Sequence, residues 1–384
     1  MFLGIDLGST NIKAMLFDDE LRVRAQKSQP VVYLRDGGVV EFDAEAYYRS
    51  LQTLIADLMA QTPDAAVIQI ALTGQAESLV CVGADGNACM NAISWMDERS
   101  QRQCDVLAAQ FDAQTCAQVT GQLAVLPTWP ASKILWLREN RPDVFAATAK
   151  FMLLKDYIVY KLTGRMLADM SIATFTFYFD IYRKCYWQQM LDAIGIDESR
   201  LPPLAEPCSV AGLLTAQAAK VTGLTEQTLV NIGTLDHFAG MIGTGNTTPG
   251  GVTLSTGTVM ALAVMAREPA AKDCGIALHY GFLPDTHVML PVAESGGVSL
   301  EWFRRTCMGD TSYDEMNRVL AARAQEQRQQ PIFLPYLVGT NAPEFDTSAT
   351  GMFWGLRQGH DRFDLAHAVM EGVAFMLRRN CDAI

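Results

Sequence analysis

A short loop near the N-terminus combines residue types that suit phosphate chemistry. It runs Asp6-Leu-Gly8-Ser9-Thr10 and follows a strand-like segment. Gly8 would let the main chain come within hydrogen-bonding distance of an anion, and Ser9 and Thr10 add hydroxyl donors. Asp6 could hold a magnesium ion, and Lys13 adds a local positive charge. An ordinary β-hairpin turn is the alternative, because Asp and Gly are common turn formers.

A second loop of this type lies in the other half of the chain. It runs Ser255-Thr256-Gly257-Thr258. Residues 4–17 can be laid over 251–264, so that each segment is a strand, a tight loop of glycine and hydroxyl residues, and a second strand. Apolar alternation in so short a window also matches by chance, so duplication and coincidence both stay open. A duplication would give two similar domains, each offering a phosphate-sized hairpin loop.

Asp236 is a candidate general base. It follows a predicted buried strand over 230–233 and begins a predicted helix, in which Gly240 and Gly243 are expected to allow close packing. A carboxylate there can accept the proton of a substrate hydroxyl while that oxygen attacks a phosphoryl group. The alternative is a plain helix N-cap, and the two roles do not exclude each other.

A third group of residues suits a ligand rich in hydroxyl groups. Gln75 and Glu77 lie between two predicted strands, and Trp95, Asp97 and Arg99 follow shortly after. Amide, carboxylate and guanidinium groups bind hydroxyls, and an indole face covers C–H surface. The alternative for Asp97 and Arg99 is a surface ion pair.

Strands and helices alternate along the chain, which implies α/β layers. Strands are predicted at 2–5, 12–17, 31–33, 67–72, 79–82, 230–233, 252–254 and 259–264. Helices are predicted at 43–59, 132–140, 155–162 and 363–377, within or beside a mostly helical region from about 100 to 225.

Composition excludes several classes of protein. The 384 residues favour two domains at about 150 residues each. Lys and Arg number 30 against 42 Asp and Glu, a net charge of −12, which disfavours nucleic acid and anionic membranes as partners. Nine cysteines show no metal-ligand spacing, and their odd number argues for a reducing compartment. Without a signal peptide or a run of about 18 apolar residues, we expect a soluble, cytoplasmic chain.

Motifs in the right order over nearly the whole chain resemble the FGGY family of carbohydrate kinases. The matching stretches are Gly4-Ile-Asp6-Leu-Gly8-Ser-Thr10, Ser132-Lys133-Ile-Leu-Trp136-Leu-Arg-Glu139-Asn140, Lys155-Asp156-Tyr157 with Leu162-Thr163-Gly164, Gly233 to Gly245, Leu254-Ser-Thr256-Gly257-Thr258, and Gly351-Met-Phe-Trp-Gly355-Leu356 followed by Asp364-Leu365 and Ala368-Val-Met-Glu371-Gly372. An actin-like chaperone ATPase would share the first loop but would lack the 95–99 cluster and the 133–140 stretch.

The resemblance implies an α/β fold of two ribonuclease-H-like domains, as in actin-like ATPases, with a cleft between them. Residues 1–240 would form the N-terminal sugar-binding domain, and 241–384 a partial C-terminal, nucleotide-binding domain. The implied activity is ATP-dependent phosphorylation of a sugar or polyol hydroxyl. The partners would be that substrate and ATP, with no nucleic acid and no membrane; a homodimer is left open.

The same likeness implies roles for individual residues. Asp236 would be the catalytic base and would contact the substrate. ATP and Mg²⁺ would be held by the two loops, with Asp6 and Asp236 near the metal ion. The implied sugar contacts are Gln75, Glu77, Trp95 and Asp97, and the implied ATP contacts are Asp6, Gly8, Ser9, Thr10, Lys13, Thr256, Gly257 and Thr258.

The sequence departs from the family pattern in two places. Xylulokinase-like members usually carry Gln-Met-His-Gly where this chain has Gln75-Ala76-Glu77-Ser78, so a pentulose, a hexulose or a small polyol is open as substrate. In the family, a Gly-Gly-Gly loop that binds adenosine and a further long segment follow the last helix, but this chain ends at Ile384. We therefore expect an incomplete second domain, weak nucleotide affinity and low or absent turnover. The alternative function is sugar binding without efficient phosphoryl transfer.

Overall fold

The computed structural model describes residues 1–257, 260–267, 275–293, 296–323, 329–340, 342, 344, 346 and 348–384. Its contacts divide the chain into two compact units. Unit one comprises Met1–Thr247 and Leu278–His287, and unit two comprises Thr248–Ala277 and Val288–Ile384.

The described chain contains short strands and helices in alternation. The strands are β1 Phe2–Leu7, β2 Asn11–Phe17, β3 Val23–Pro30, β4 Leu34–Asp36, β5 Val39–Phe42, β6 Gln69–Gly74, β7 Leu79–Gly83, β8 Ala92–Ile93, β9 Thr148–Leu153, β10 Ala168–Asp169, β11 Phe179–Asp180, β12 Cys185–Tyr186, β13 Leu204–Ala205, β14 Val210–Leu213, β15 Leu229–Leu235, β16 Val252–Thr256, β17 Met260–Ala266, β18 Leu278–Tyr280, β19 His287–Met289, β20 Val292–Ala293, β21 Ile332–Leu334 and β22 Met352–Trp354. The helices are α1 Ala44–Gln61, α2 Gln101–Ala108, α3 Ala113–Thr120, α4 Pro130–Asn140, α5 Pro142–Ala147, α6 Leu154–Thr163, α7 Met170–Ala173, α8 Gln188–Ile194, a 3₁₀ turn Glu198–Arg200, α9 Ala216–Thr222, α10 Asp236–Gly243, α11 Gly297–Cys307, α12 Tyr313–Arg323 and α13 Arg362–Ala383.

The main sheet of unit one has six strands in the order β14-β15-β6-β1-β2-β3. β1 is antiparallel to β2 and parallel to β6, and β6 is parallel to β15. Leu3, Ile5 and Leu7 alternate along β1 and are buried in the core, as period-two patterning requires of a strand with a covered face. The sheet therefore places three parallel strands side by side.

Helix α1 covers this sheet because its apolar residues recur at helical spacing. The Oδ1 atom of Asp43 caps the helix by accepting the Ala46 N–H at 2.9 Å. Leu51, Ile55 and Leu58 are fully buried in the core of unit one.

A second sheet of unit one has the order β4-β5-β8-β7-β9. The chain passes from the first sheet to the second between Gly74, the end of β6, and Leu79, the start of β7. Gln75 and Glu77 lie in this crossing.

Unit two contains the β16–β17 hairpin, with β17 lying between β16 and β19 and also pairing with β20. β21 and β22 form a separate antiparallel pair. α13 starts at a capping box, in which Asp361 accepts main-chain N–H groups and Asp364 accepts the N–H of Asp361. Phe303 and Phe333 are buried with residues of this helix.

Most elements predicted from the sequence are confirmed. Both hairpins are present, because β1 and β2 pair with each other and so do β16 and β17. The strand predicted at 31–33 is wrong: those residues have no regular structure, and the preceding residues 23–30 form β3 instead. The expected close packing at Gly240 and Gly243 is also wrong, since a Cβ atom at either would meet open space among the described residues.

No helix within the described part is long and apolar enough to cross a membrane. The eight cysteines that the structure describes are all free thiols, while Cys274 lies outside the described residues.

Candidate active site

Three parallel strands of unit one end at one edge of the main sheet. Asp6 on β1 pairs with Thr73 on β6, and Thr73 also pairs with Thr234 on β15. Asp6 lies at this edge, and the chain continues beyond it as Gln75 after β6 and Asp236 after β15. In open α/β sheets, ligands bind outside the carboxyl ends of the parallel strands. The topology thus brings three of the predicted site residues to the place where a ligand is expected.

The first loop is compact and its acid is partly paired. The Nζ atom of Lys13 lies 3.4 Å from the Oδ2 atom of Asp6 across the hairpin. Burial raises the pKa of Asp6, and Lys13 opposes that shift. A Cβ atom at Gly8 would lie 2.7 Å from the carbonyl oxygen of Asn11, so only glycine fits without movement. The hydroxyl of Tyr47 donates a hydrogen bond to the carbonyl oxygen of Gly8 at 3.1 Å, which stabilises the loop.

The two hydroxyl residues of this loop remain accessible. Thr10 is exposed and Ser9 is half-buried. Both are therefore available to a ligand, as the sequence predicted, although their role stays a prediction.

Asp236 is the first residue of α10, and Leu235 occupies the N-cap position. The Oδ1 atom of Asp236 accepts the N–H of His237 at 2.6 Å. Burial raises the pKa of Asp236; the neighbouring His237 lowers it, and the charge of Asp6 raises it further. Asp236 thus combines the first-turn position of a helix acid with the electrostatics of a proton acceptor near a second carboxylate.

Gly233 determines how β15 reaches Asp236. Its φ of 72° lies in the left-handed region, and a Cβ atom there would lie 1.4 Å from the carbonyl oxygen of Leu72. The pairing of β15 with β6 shifts register between Asn231 and Thr234, which is a β-bulge. Only glycine allows this close approach of the two main chains.

The amide of Gln75 is oriented by a hydrogen-bond chain. The N–H of Trp95 donates to Ser78 Oγ at 3.1 Å, and Ser78 Oγ donates to Gln75 Oε1 at 2.8 Å. The Nε2 atom of Gln75 is consequently a buried donor, with no hydrogen-bond partner among the described residues. The buried hydroxyl of Tyr33 also has no hydrogen-bond partner among the described residues. Burying such groups unpaired is costly, so a ligand or water that pairs them is favoured.

Tyr33 is a further candidate site residue, which sequence reasoning missed. Burial raises the pKa of its hydroxyl, which lies near the Gln75 and Ser94 side chains. Its position in a predicted strand carried no sign of this role.

Glu77, in the loop that follows β6, and Lys133 are close enough for each to shift the pKa of the other. Burial raises the pKa of the Glu77 carboxyl, and Lys133 opposes that shift. Lys133 is completely buried and donates to the main-chain oxygens of Glu77 at 3.1 Å and Ser94 at 2.8 Å. One lysine therefore holds both segments that carry candidate sugar contacts. Glu77 itself has a left-handed φ of 65°, a strained conformation of the kind that clusters at functional sites.

Asp97 does not have the expected access to a ligand. Its side chain is 0% exposed. One carboxylate oxygen accepts the N–H of Val40 at 2.6 Å, and Arg99 donates to both oxygens at 2.7 and 2.8 Å. The expected ion pair with Arg99 exists, but it is buried rather than on the surface. Trp95, two residues earlier, is 38% exposed and can meet a ligand.

The second loop lies in unit two. Thr256 ends β16 and is exposed, and the carbonyl oxygen of Gly257 accepts the N–H of Gly297 at 2.9 Å. Thr258 lies outside the described residues. Among the residues that are described, no group of three or more His, Cys, Asp or Glu side chains is arranged to hold a metal ion by itself.

Two family models cover almost the whole chain. Residues 1–243 match the N-terminal domain of the FGGY family of carbohydrate kinases, and residues 252–384 match its C-terminal domain. Relatives agree with this match. The xylulose kinase of Lactococcus lactis is 30% identical over 387 residues, which cover 99% of this chain and 76% of that protein.

Solved structures of the same kind superpose closely. The ligand-bound xylulose kinase of Lactobacillus acidophilus matches with a TM-score of 0.90 at 26% identity, over 100% of this chain and 78% of that one. The gluconate kinase of the same organism matches with a TM-score of 0.88 at 26% identity, over 97% of this chain and 76% of that one. The fold is the mixed α/β, two-domain fold of the actin-like ATPases. This chain belongs to the FGGY family of carbohydrate kinases.

Proposed function

We propose that this protein transfers the terminal phosphoryl group of ATP to a hydroxyl of a sugar or polyol. The observation that carries the proposal is the edge of the main sheet, where Asp6 lies near the end of β1 and Asp236 directly follows β15, two parallel strands with β6 between them. Xylulose is the first substrate to test, because relatives from several bacteria are named xylulose kinases.

Asp236 is the proposed general base. Burial raises the pKa of its carboxyl, which makes the carboxylate a stronger proton acceptor than an exposed aspartate. It would take the proton of the substrate hydroxyl as that oxygen attacks the phosphoryl group, a step that depends on positioning and charge neutralisation.

Asp6 and Asp236 fit a magnesium ion. Each carboxylate lies at the same sheet edge, and the charge of Asp6 raises the pKa of Asp236, so a cation would relieve their repulsion. Magnesium is commonly held by one or two carboxylates together with substrate phosphates, so a cluster of three acidic ligands is not needed. When bound, the ion supplies charge neutralisation to the phosphates. Ser9, Thr10 and Lys13 would contact those phosphates.

The nucleotide side is proposed to include the loop of unit two. Thr256, Gly257 and Thr258 carry this role by their likeness to the family pattern, and Gly8 would admit phosphate to the first loop. The accessible hydroxyl of Thr256 supports the assignment.

The substrate is proposed to contact Gln75, Glu77 and Trp95. The unpaired Nε2 donor of Gln75 supports this, as does the exposed indole of Trp95. Tyr33 joins this group through its unpaired hydroxyl. Asp97 acts differently: its buried pairing with Arg99 and Val40 fixes the segment that presents Trp95.

An ADP-release screen across pentuloses, hexuloses and polyols tests the proposal, with the Asp236→Asn variant beside the wild type. We expect release with at least one sugar, abolished in the variant, while calorimetry shows that sugar binding is kept. Asp112→Asn is the matched control, because Asp112 is also an acid at the start of a helix, where its Oδ1 atom accepts the Thr115 N–H at 2.8 Å. Sugar binding by the wild type without ADP release would instead support the binding-protein alternative.

A further inference from the structure

Ile232 and Gly233, shortly before Asp236, leave the regular ladder of β15 with β6, and side chains bind main-chain groups of this segment. The ladder with β6 breaks between Asn231 and Thr234. Asn231 Oδ1 accepts the N–H of Gly233 at 2.8 Å. Thr73 Oγ1 donates to the carbonyl oxygen of Thr234 at 2.8 Å. Each bond fixes one main-chain group of the segment that delivers Asp236.

Lys155 forms a hydrogen bond with the carbonyl oxygen of Ile232, at the start of the bulge. Its Nζ atom donates to that oxygen at 2.6 Å and lies 3.1 Å from Asp169 Oδ2 and 3.5 Å from Asp156 Oδ1. The lysine is 0% exposed. A buried ammonium needs paired charges and hydrogen bonds, and here one of those bonds goes to the bulge itself.

Ser171 connects this lysine to the residue directly before Asp236. Its Oγ atom donates to Asp169 at 2.9 Å and accepts the N–H of Leu235 at 3.3 Å. It also lies 2.8 Å from Thr234 Oγ1, which is placed to donate to it. The single hydroxyl hydrogen and both acceptor positions of Ser171 are therefore in use.

We propose that Lys155, Asp169 and Ser171 are positioning residues, which hold the Gly233 bulge so that Asp236 keeps the geometry required of a base. This inference rests on the proposed function of Asp236. The three side chains form one connected network that bonds to the carbonyl of Ile232, the hydroxyl of Thr234 and the N–H of Leu235, all in the segment leading into Asp236.

Stability alone does not explain such a network. Replacing a buried ion pair by well-packed apolar residues is often neutral or stabilising, so a buried Lys–Asp pair is weak evidence for a stabilising role. A displacement of about 1 Å in a reacting group can lower a rate about 100-fold. A network that fixes the main chain at Ile232 and at Leu235, shortly before the base, limits such a displacement.

Ser171→Ala tests the proposal, because it removes one hydroxyl without leaving an unpaired buried charge. The matched control is Thr228→Val. Thr228 is also 0% exposed and donates to a main-chain oxygen, that of Val67 at 3.0 Å, but it precedes the opposite end of β15. We expect Ser171→Ala to lower kcat by about 10- to 100-fold with the KM for sugar changed less than twofold. Thr228→Val should leave both constants close to the wild type.

Deuterium uptake gives a second measurement that does not depend on turnover. Ser171→Ala should raise uptake in the peptide covering 232–238, where it frees the N–H of Leu235, and Thr228→Val should not. Unchanged kcat and uptake in Ser171→Ala, or equal effects of the two variants, would overturn the positioning role. A wild-type protein that releases no ADP with any sugar would refute the proposed function instead, and the uptake comparison would still decide whether Ser171 holds the segment.

Discussion

Gly233 offers the sharpest test of how this site is built. Gly233→Ala adds a Cβ atom 1.4 Å from the carbonyl oxygen of Leu72, whereas real Cβ atoms essentially never come closer than 3.0 Å. The main chains of β15 and β6 must therefore separate by at least about 1.6 Å at this point. The variant should be destabilised, and the protein that remains folded should have a displaced Asp236.

The magnitude follows from two contributions. A left-handed φ costs a residue other than glycine about 1–2 kcal/mol. The separation also breaks hydrogen bonds from Thr73 to Thr234 and from Lys155 to Ile232, and the bond from Cys208 to Gly233, each worth about 1 kcal/mol. We expect Gly233→Ala to lower the free energy of unfolding by about 4–5 kcal/mol.

Gly223→Ala separates these two contributions. Gly223 has nearly the same φ, 74°, but a Cβ atom there would meet only Met59 Cβ at 3.7 Å, an ordinary contact. It should therefore show the cost of φ alone, about 1–2 kcal/mol. Urea unfolding followed by far-UV circular dichroism, with kcat measured on the same samples, compares the two. Equal losses of stability in both variants would refute the claim that close approach of β15 and β6 requires glycine.

Two further predictions concern a buried acid and an exposed indole. Burial raises the pKa of Asp156 from 3.8 to about 7, so the folded state holds this proton more tightly than the unfolded state. The proton on Asp156 stabilises the folded state fully below about pH 4. This stabilisation is lost as the pH rises to about 7, and its largest value is about 4 kcal/mol. Asp156→Asn, which stays neutral, should gain stability relative to the wild type across that range, and a difference independent of pH would contradict this. Trp95→Ala should raise the KM for sugar about 3- to 10-fold without changing the unfolding midpoint, whereas Trp354→Ala, also exposed, should leave KM unchanged.

The elements that carry the site were largely predictable from local pattern. The alternation in β1 and β2 and the apolar face of α1 are periodic over short windows, and the structure confirms them. β3 was missed because residues 23–30 contain few apolar side chains. It is an edge strand whose residues are exposed or half-buried, so it buries too little surface to leave a pattern.

The site was predictable only in part. Asp6 and Asp236 lie at the ends of predicted strands, beside a loop or glycines. These features can be recognised from neighbouring residues in the sequence. The Asp97–Arg99 spacing is compatible with a surface or a buried ion pair, and only the packing of Val40 and Trp136 around it shows that the pair is buried. The unpaired Tyr33 hydroxyl had no local signal, because its neighbours Gln75 and Ser94 are distant in the sequence.

The sequence by itself determined the hairpin loops, the acid at the start of α10 and the likeness to the FGGY family, because each depends on residues close together in the chain. The tertiary structure decided which groups surround those acids. Lys155 and the carbonyl of Ile232 are 77 positions apart, yet lie 2.6 Å from each other. Burial, charge pairing and the free donor of Gln75 all arise from such distant contacts, which packing creates and local propensity does not encode.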